Sequence, residues 1–305
     1  MSSSTLKRRK PTKRQLKEWG WGWFFIAPTI IGLIILNIIP IFQTLYLSFF
    51  KSGDFGSGNI FVGFDNYLKM FKDKQVWFAV RNTLMYTVLV VPIAIAISLV
   101  VAVFLNEKIF GRTIYRTIYF IPMVAAPAAI TMVWRWMYNN HFGLFNYVLR
   151  KMGLGTIDWV NDADIALVSI VIIGIWSIIG YNVVLILAGL QEIPRDFYEA
   201  SMIDGASKIY QFFRITIPLL SPTLFFITVT TIIQSMQVFD FVYMMIDVTS
   251  PAYDSTVSLV YLFYNNSFRY GNQGYGSAII MLLLVIIMII TIFQMKAQKK
   301  WVNYM

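Results

Sequence analysis

The chain has 305 residues, 58% of them hydrophobic and 13% charged, and that much apolar surface exceeds what one water-soluble core of this size can bury. It carries no cysteine and a single histidine, His141, which excludes disulfides, thiol chemistry and a His/Cys metal cluster, so no metal ligand and no catalytic residue is assigned. The net charge of +10 sits beside apolar runs rather than along one soluble face, which points to anionic lipid headgroups and away from nucleic acid.

Residues 1–21 form a basic tail containing Lys7, Arg8, Arg9, Lys10, Lys13, Arg14 and Lys17. The apolar run from about Trp21 to Phe50 is too long for a signal-peptide core, and Leu47-Ser48-Phe49-Phe50 offers no small-residue cleavage site. An uncleaved first span over 22–49 is expected, followed by spans at 83–105, 115–137, 165–190, 217–246 and 275–295. Each approaches or exceeds the roughly 20 apolar residues that carry a helix through the hydrocarbon layer. None shows the alternating pattern of barrel strands, so an all-α integral membrane protein with six transmembrane helices is predicted, its membrane domain covering 22–295 and a short tail covering 296–305.

Pro28, Pro40, Pro92, Pro122 and Pro127 fall inside these spans as kinks that neighbouring groups in a membrane bundle can satisfy. The loop at 51–81 starts glycine-rich at Gly53, Gly56 and Gly58 and continues with Phe64, Tyr67, Leu68, Phe71, Trp77 and Phe78 among charges, the pattern of a short helix lying on the outer surface. Trp19, Trp21 and Trp23 at the first span, and Trp134 and Trp136 at the end of the third, suit interfacial belts, while Arg135 is expected to snorkel to headgroups.

Lys and Arg number 16 on the side of the N-terminal tail and 9 on the other, where eight aspartates also lie, so the positive-inside rule puts both termini in the cytoplasm. Between the fourth and fifth spans, residues 191–218 then form a cytoplasmic loop. Pro194 suits a first helical turn, with Asp196 and Glu199 near its positive end; Gly205 is a natural break and Ser207 a cap for a second helix. From composition alone, an amphipathic linker resting on headgroups fits equally well.

Within that loop, Glu199-Ala200-Ser201, three further residues, Gly205, nine more, then Ile215-Thr216-Ile217-Pro218 resembles the EAA loop of ABC importer permeases. Ser201 stands where that family usually has a second alanine, and Ile217 where leucine is usual. The resemblance extends over almost the whole chain and is to the maltose and glycerol-3-phosphate type of the carbohydrate uptake group. Gly63-Phe64-Asp65-Asn66-Tyr67, Arg81-Asn82-Thr83-Leu84, Asn139-Asn140-His141-Phe142-Gly143-Leu144-Phe145-Asn146, Val238-Phe239-Asp240 and Gly271-Asn272-Gln273-Gly274-Tyr275-Gly276-Ser277-Ala278 support it.

The resemblance implies a permease subunit, itself not an enzyme, importing a sugar or oligosaccharide through the bacterial cytoplasmic membrane. Its implied partners are a second homologous permease in a heterodimer, two copies of a cytoplasmic ABC ATPase and an extracytoplasmic sugar-binding protein. Glu199, Ala200, Ser201, Asp204 and Gly205 would couple to the ATPase. The chain lacks G-x-x-x-x-G-K-[ST], so it should hold no cofactor, with ATP and Mg bound by the partner ATPase.

A sugar crossing hydrocarbon needs polar side chains facing the bundle interior. Tyr181 and Asn182 in the fourth span, and Gln234, Gln237 and Asp240 in the fifth, are the candidates; Gln234, Gln237 and Phe241 follow i, i+3, i+7 spacing along one helical face. Alignment with the maltose-type permease puts its sugar-contacting positions on Tyr181, Gln237 and Asp240. Hydrogen bonding between helices is the competing reading, for Asn182 above all. Two other functions compete with this reading. An ion-gradient-driven secondary transporter would need Asp240 as its ion site, and the absence of an internal repeat counts against it; a membrane enzyme has too few reactive side chains.

Overall fold

A computed structural model describes residues 12–52, 59–107 and 110–302; Lys7, Arg8, Arg9 and Lys10 of the tail, and Gly53, Gly56 and Gly58 of the outer loop, lie outside them. Five helices are long and apolar enough to cross a membrane, or six if one sharply bent pair counts as a single span. The first comprises α1 (Lys13–Leu33), a π-helical turn at Ile34–Ile38 and α2 (Ile39–Leu47). Its apolar side chains are exposed, and its contact with the rest runs through α2 at the far end.

One departure from the all-α expectation follows directly. Strands β1 (Phe50–Ser52) and β2 (Asn59–Phe61) pair antiparallel, with Phe50 opposite Phe61. Next comes the expected surface helix, α3 (Asp65–Lys72), which buries Asn66 and Met70. Asn66 Nδ2 donates to the carbonyls of Ser48 and Phe50, both at 2.8 Å, and so holds helix, hairpin and first span together. The second span, α4 (Lys74–Asn106), starts well before the expected residue 83. Asp73 accepts a 2.9 Å bond from the Gln75 N–H as the N-cap, and Val76 and Ala79 are buried. Residues that read as loop because of their charges are therefore an amphipathic extension of the span.

The third span is not the single helix expected over 115–137. It consists of α5 (Arg112–Val124) and α6 (Pro127–Met137), bent by 104° across Ala125 and Ala126. Pro127 excludes the helical conformation from the residue before it, and Ala126 sits at φ −61°, ψ 134°. Trp134, expected in the interfacial belt, is instead buried among Tyr138, Phe145 and Trp176, whereas Trp136 is exposed. The connection onward contains α7 (Leu144–Lys151), organised by the buried Asn146, whose amide bonds to Asn140, to both backbone groups of Ile157 and to Trp159 Nε1.

The fourth span, α8 (Ala166–Glu192), is buried along α4, and small residues permit the approach: a Cβ on Gly174 would collide with the Tyr86 phenol. After the loop helices α9 (Asp196–Ile203) and α10 (Lys208–Gln211), a π-helical turn at Phe212–Thr216 leads into α11 (Ile217–Met236). The continuous fifth span expected to reach 246 is interrupted at 237–239 before α12 (Asp240–Met245). Two short helices, α13 (Tyr253–Thr256) and α14 (Leu259–Tyr264), fold over that end, and the sixth span, α15 (Gln273–Trp301), completes the bundle. One apolar cluster joins the middle and the hairpin end of the bundle, including Tyr261, Tyr275 and Met236; a second, including Leu105, Ile186 and Leu220, fills the end near α9.

Candidate functional site

The two helix interruptions meet. Residues on both sides of the 125–126 bend and of the 237–239 break line one open cavity of about 470 Å³, whose opposite wall is α8. Irregular backbone at membrane depth leaves N–H and C=O groups without helical partners, and it persists only where it is enclosed in protein or borders water. Tyr181, Gln234, Gln237 and Asp240 all line this cavity.

They do not do so as one helical face. Gln234 closes the last turn of α11, Gln237 follows it at φ −98°, ψ 16°, and Asp240 and Phe241 start the next helix. Regular i, i+3, i+7 geometry is broken between them, and the convergence comes from the break. Asn182 is absent from the lining. It is fully buried between α8 and α11 and accepts a 3.4 Å bond from Thr231 Oγ1, which agrees with the interhelical reading.

Tyr86, Ser177 and Ser235 also line the cavity and were missed in the sequence. Tyr86 has a signal in retrospect, because a tyrosine in mid-span needs a small partner, which Gly174 supplies. Among the lining residues Asp240 is the sole charged one. The site can thus offer hydroxyls, amides and aromatic faces, with one carboxylate and no cation.

Beyond α6 and α12, a more polar cleft of about 570 Å³ is lined by Arg135, His141, Asp158 and Asp247 among others. Arg135 donates to the Met244 carbonyl at 3.2 Å, so it ties α6 to the end of α12 rather than only reaching toward headgroups. The Asp247 carboxyl lies below its ordinary range, because the Thr249 N–H and hydroxyl donate to it. Burial pushes the Tyr253 phenol up to about 12.

At the opposite end, α9 and α10 form the compact helical hairpin expected of 191–218. Helix α9 ends in a Schellman motif: Ala206 N–H donates to Ser201 O at 2.9 Å and Gly205 N–H to Met202 O at 3.0 Å, with Gly205 at φ +78°. Ser207 caps α10 by accepting from the Tyr210 N–H at 3.3 Å. Ser201 Oγ donates to Tyr198 O at 2.8 Å and accepts from Gln211 Nε2 at 2.9 Å, which locks the two helices together. Tyr198 and Thr216 join hydroxyls at 3.0 Å, fastening the hairpin to the root of the fifth span. Phe197, Ile203, Ile209 and Phe213 are exposed on this module, and among the described residues Glu199 makes no ion pair.

A family profile described as "Binding-protein-dependent transport system inner membrane component" matches residues 74–302. In sequence, the chain is 32% identical over 285 residues to the trehalose/maltose transport system permease protein MalF of Thermococcus litoralis, covering 93% of this chain and 96% of that one. It is 34% identical over 284 residues to the sn-glycerol-3-phosphate transport system permease protein UgpA of Brucella suis, covering 92% and 96%. In structure, it matches with a TM-score of 0.82 a chain of a bacterial alginate ABC transporter solved in complex with an alginate pentasaccharide-bound periplasmic protein, at 18% identity and over 94% and 96% of the two chains.

Proposed function

Since the chain belongs to the binding-protein-dependent transport system inner membrane components, we propose that it is the sugar-conducting permease subunit of an ABC importer in the cytoplasmic membrane. The observation that carries the reading is the convergence of two broken spans and four polar side chains, Tyr181, Gln234, Gln237 and Asp240, on one cavity. Amides and hydroxyls there would replace the water shell of sugar hydroxyls, and Phe239 and Phe241 would pack against apolar ring faces. Both termini and the α9–α10 hairpin lie on the cytoplasmic side in this reading, supported by the basic bias of the loops.

Energy comes from elsewhere. Glu199, Ala200, Ser201, Asp204 and Gly205 present the hairpin to a cytoplasmic ATPase, two copies of which bind ATP and Mg, while this chain holds no cofactor. A second, homologous permease closes the cavity as the other half of a heterodimer, and an extracytoplasmic binding protein delivers sugar at the opposite end. The lone carboxylate of the lining favours neutral sugars over the anionic substrates named for some relatives.

The test is uptake of maltose and trehalose, beside glycerol 3-phosphate, by the assembled complex in proteoliposomes supplied with its binding protein. Uptake should require ATP hydrolysis and favour the neutral sugars. Uptake that continues without ATP under an imposed ion gradient would overturn the reading.

A further inference from the structure

Helices α5 and α8 touch where Gly180 lies against the Tyr119 carbonyl; a Cβ on Gly180 would collide with that oxygen. On one side of this crossing is the central cavity, walled there by Pro122 and Met123 of α5 and by Ser177 and Tyr181 of α8. On the other side the same two helices enclose a second cleft of about 380 Å³, with Arg116, Thr117 and Phe120 facing Val184, Ala188 and Gln191. Ser177, Tyr181, Val184, Ala188 and Gln191 are spaced i, i+4, i+7, i+11 and i+14, a single stripe along α8. The clefts are therefore successive stretches of one surface, and the second leads toward the α9–α10 hairpin.

Within the second cleft one polar group stands out. Arg116 Nε is buried and has no hydrogen-bond partner, although a buried N–H left open is costly and rarely tolerated without a purpose. The Phe120 ring and the Gln191 side chain line the same cleft. A guanidinium and an amide flanking an aromatic face match a sugar's hydroxyls and its apolar face. The contacts are few, as suits a solute that must leave again.

We propose that this cleft is a second sugar subsite, lying beyond the Gly180–Tyr119 contact from the central cavity, with Arg116 as its hydrogen-bonding anchor and a neutral sugar as its ligand. The proposal rests on the reading of the central cavity as the sugar site. An acyl chain with an anionic headgroup on Arg116 is the competing occupant, and the test separates the two.

The chain has no cysteine, so single reporters can be placed at will. In the assembled, nucleotide-free complex, Ser177→Cys reports on the central cavity and Ala188→Cys on the second cleft, each through its rate of alkylation by N-ethylmaleimide. The probes are maltose, trehalose, sucrose and raffinose at saturating concentration, and phosphatidylglycerol in mixed micelles. A sugar that protects Ser177→Cys should also slow alkylation of Ala188→Cys about three-fold or more, and adding Arg116→Ala should abolish the second protection but not the first. Protection of Ser177→Cys alone, or protection of Ala188→Cys by the lipid and not by sugar, overturns the subsite and leaves the central cavity standing. Protection at neither position by any of the sugars overturns both.

Discussion

Gly205 shows how a single backbone angle decides what a residue can do. Its φ of +78° closes the Schellman motif, and a Cβ there would meet no atom within 4 Å in this chain. A side chain would thus cost only the left-handed strain of about 1–2 kcal/mol and would project toward whatever docks on the hairpin. Gly205→Asp is expected to insert and assemble, yet to lose most sugar-dependent ATPase activity and uptake; normal values for both would remove the docking role. Ser201→Ala is expected to behave oppositely. It removes the bridge between Tyr198 O and Gln211, worth roughly 0.5–1.5 kcal/mol, so thermal stability should fall slightly while coupling persists. In the cavity, Gln237→Ala should weaken sugar transport several-fold by the loss of one neutral hydrogen bond, with ATPase assembly intact, as read from uptake against sugar concentration. The sequence carried all three side chains' identities, but not the two bonds of Ser201: Gln211 lies ten positions on, and only the turn at Gly205 brings it back.

At the scale of elements, the two interruptions matter more than any regular helix. Ala125 and Ala126 are both extended, Ala126 because Pro127 follows it, and the 104° bend turns α6 away from α5 so that their junction faces α8. Pro127→Ala removes that constraint. Spin labels at Thr117→Cys and Met132→Cys should then move apart as the bend relaxes, and sugar uptake should drop; an unchanged distance would show that packing of α6 on α12 sets the bend instead. The six apolar stretches were legible because hydrophobic length is written in composition. The breaks were not, since an apolar window looks the same whether or not its helix continues, and prolines in membrane helices signal kinks and full breaks alike. Gln234, Gln237 and Phe241 accordingly share a cavity through the break at 237–239, not through the helical periodicity their i, i+3, i+7 spacing suggested. The β1–β2 pair escaped notice because three-residue strands are too short for alternation to register.

Over the whole molecule, charge and packing describe one axis, with the cavity in the middle, the α9–α10 hairpin at one end and the β1–β2 hairpin at the other. In the proposed orientation, which rests on the basic bias of the loops, the first of these ends faces the cytoplasm. Ser201→Cys should accordingly resist a membrane-impermeant thiol reagent in intact cells and react once they are opened; labelling of intact cells would invert the topology. At the other end, the last span is clasped to α2 and β1 at the end of the first span and to the start of the second. Gly274 of α15 rests on the Phe50 carbonyl so closely that any Cβ would collide with backbone, and the Tyr275 hydroxyl donates to Asp73 at 2.6 Å. Residues joined there are more than 200 positions apart, the Tyr275–Asp73 bond alone spanning 202. Because the chain is made in order, α1 and α2 must wait beside the growing bundle until residue 274 has left the ribosome before this face can shut. The clasp is therefore among the last contacts of the bundle that can form. Gly274→Leu should leave that face open on a full-length chain, and a membrane protease would be expected to shorten its lifetime in a pulse-chase experiment to that of a nascent fragment.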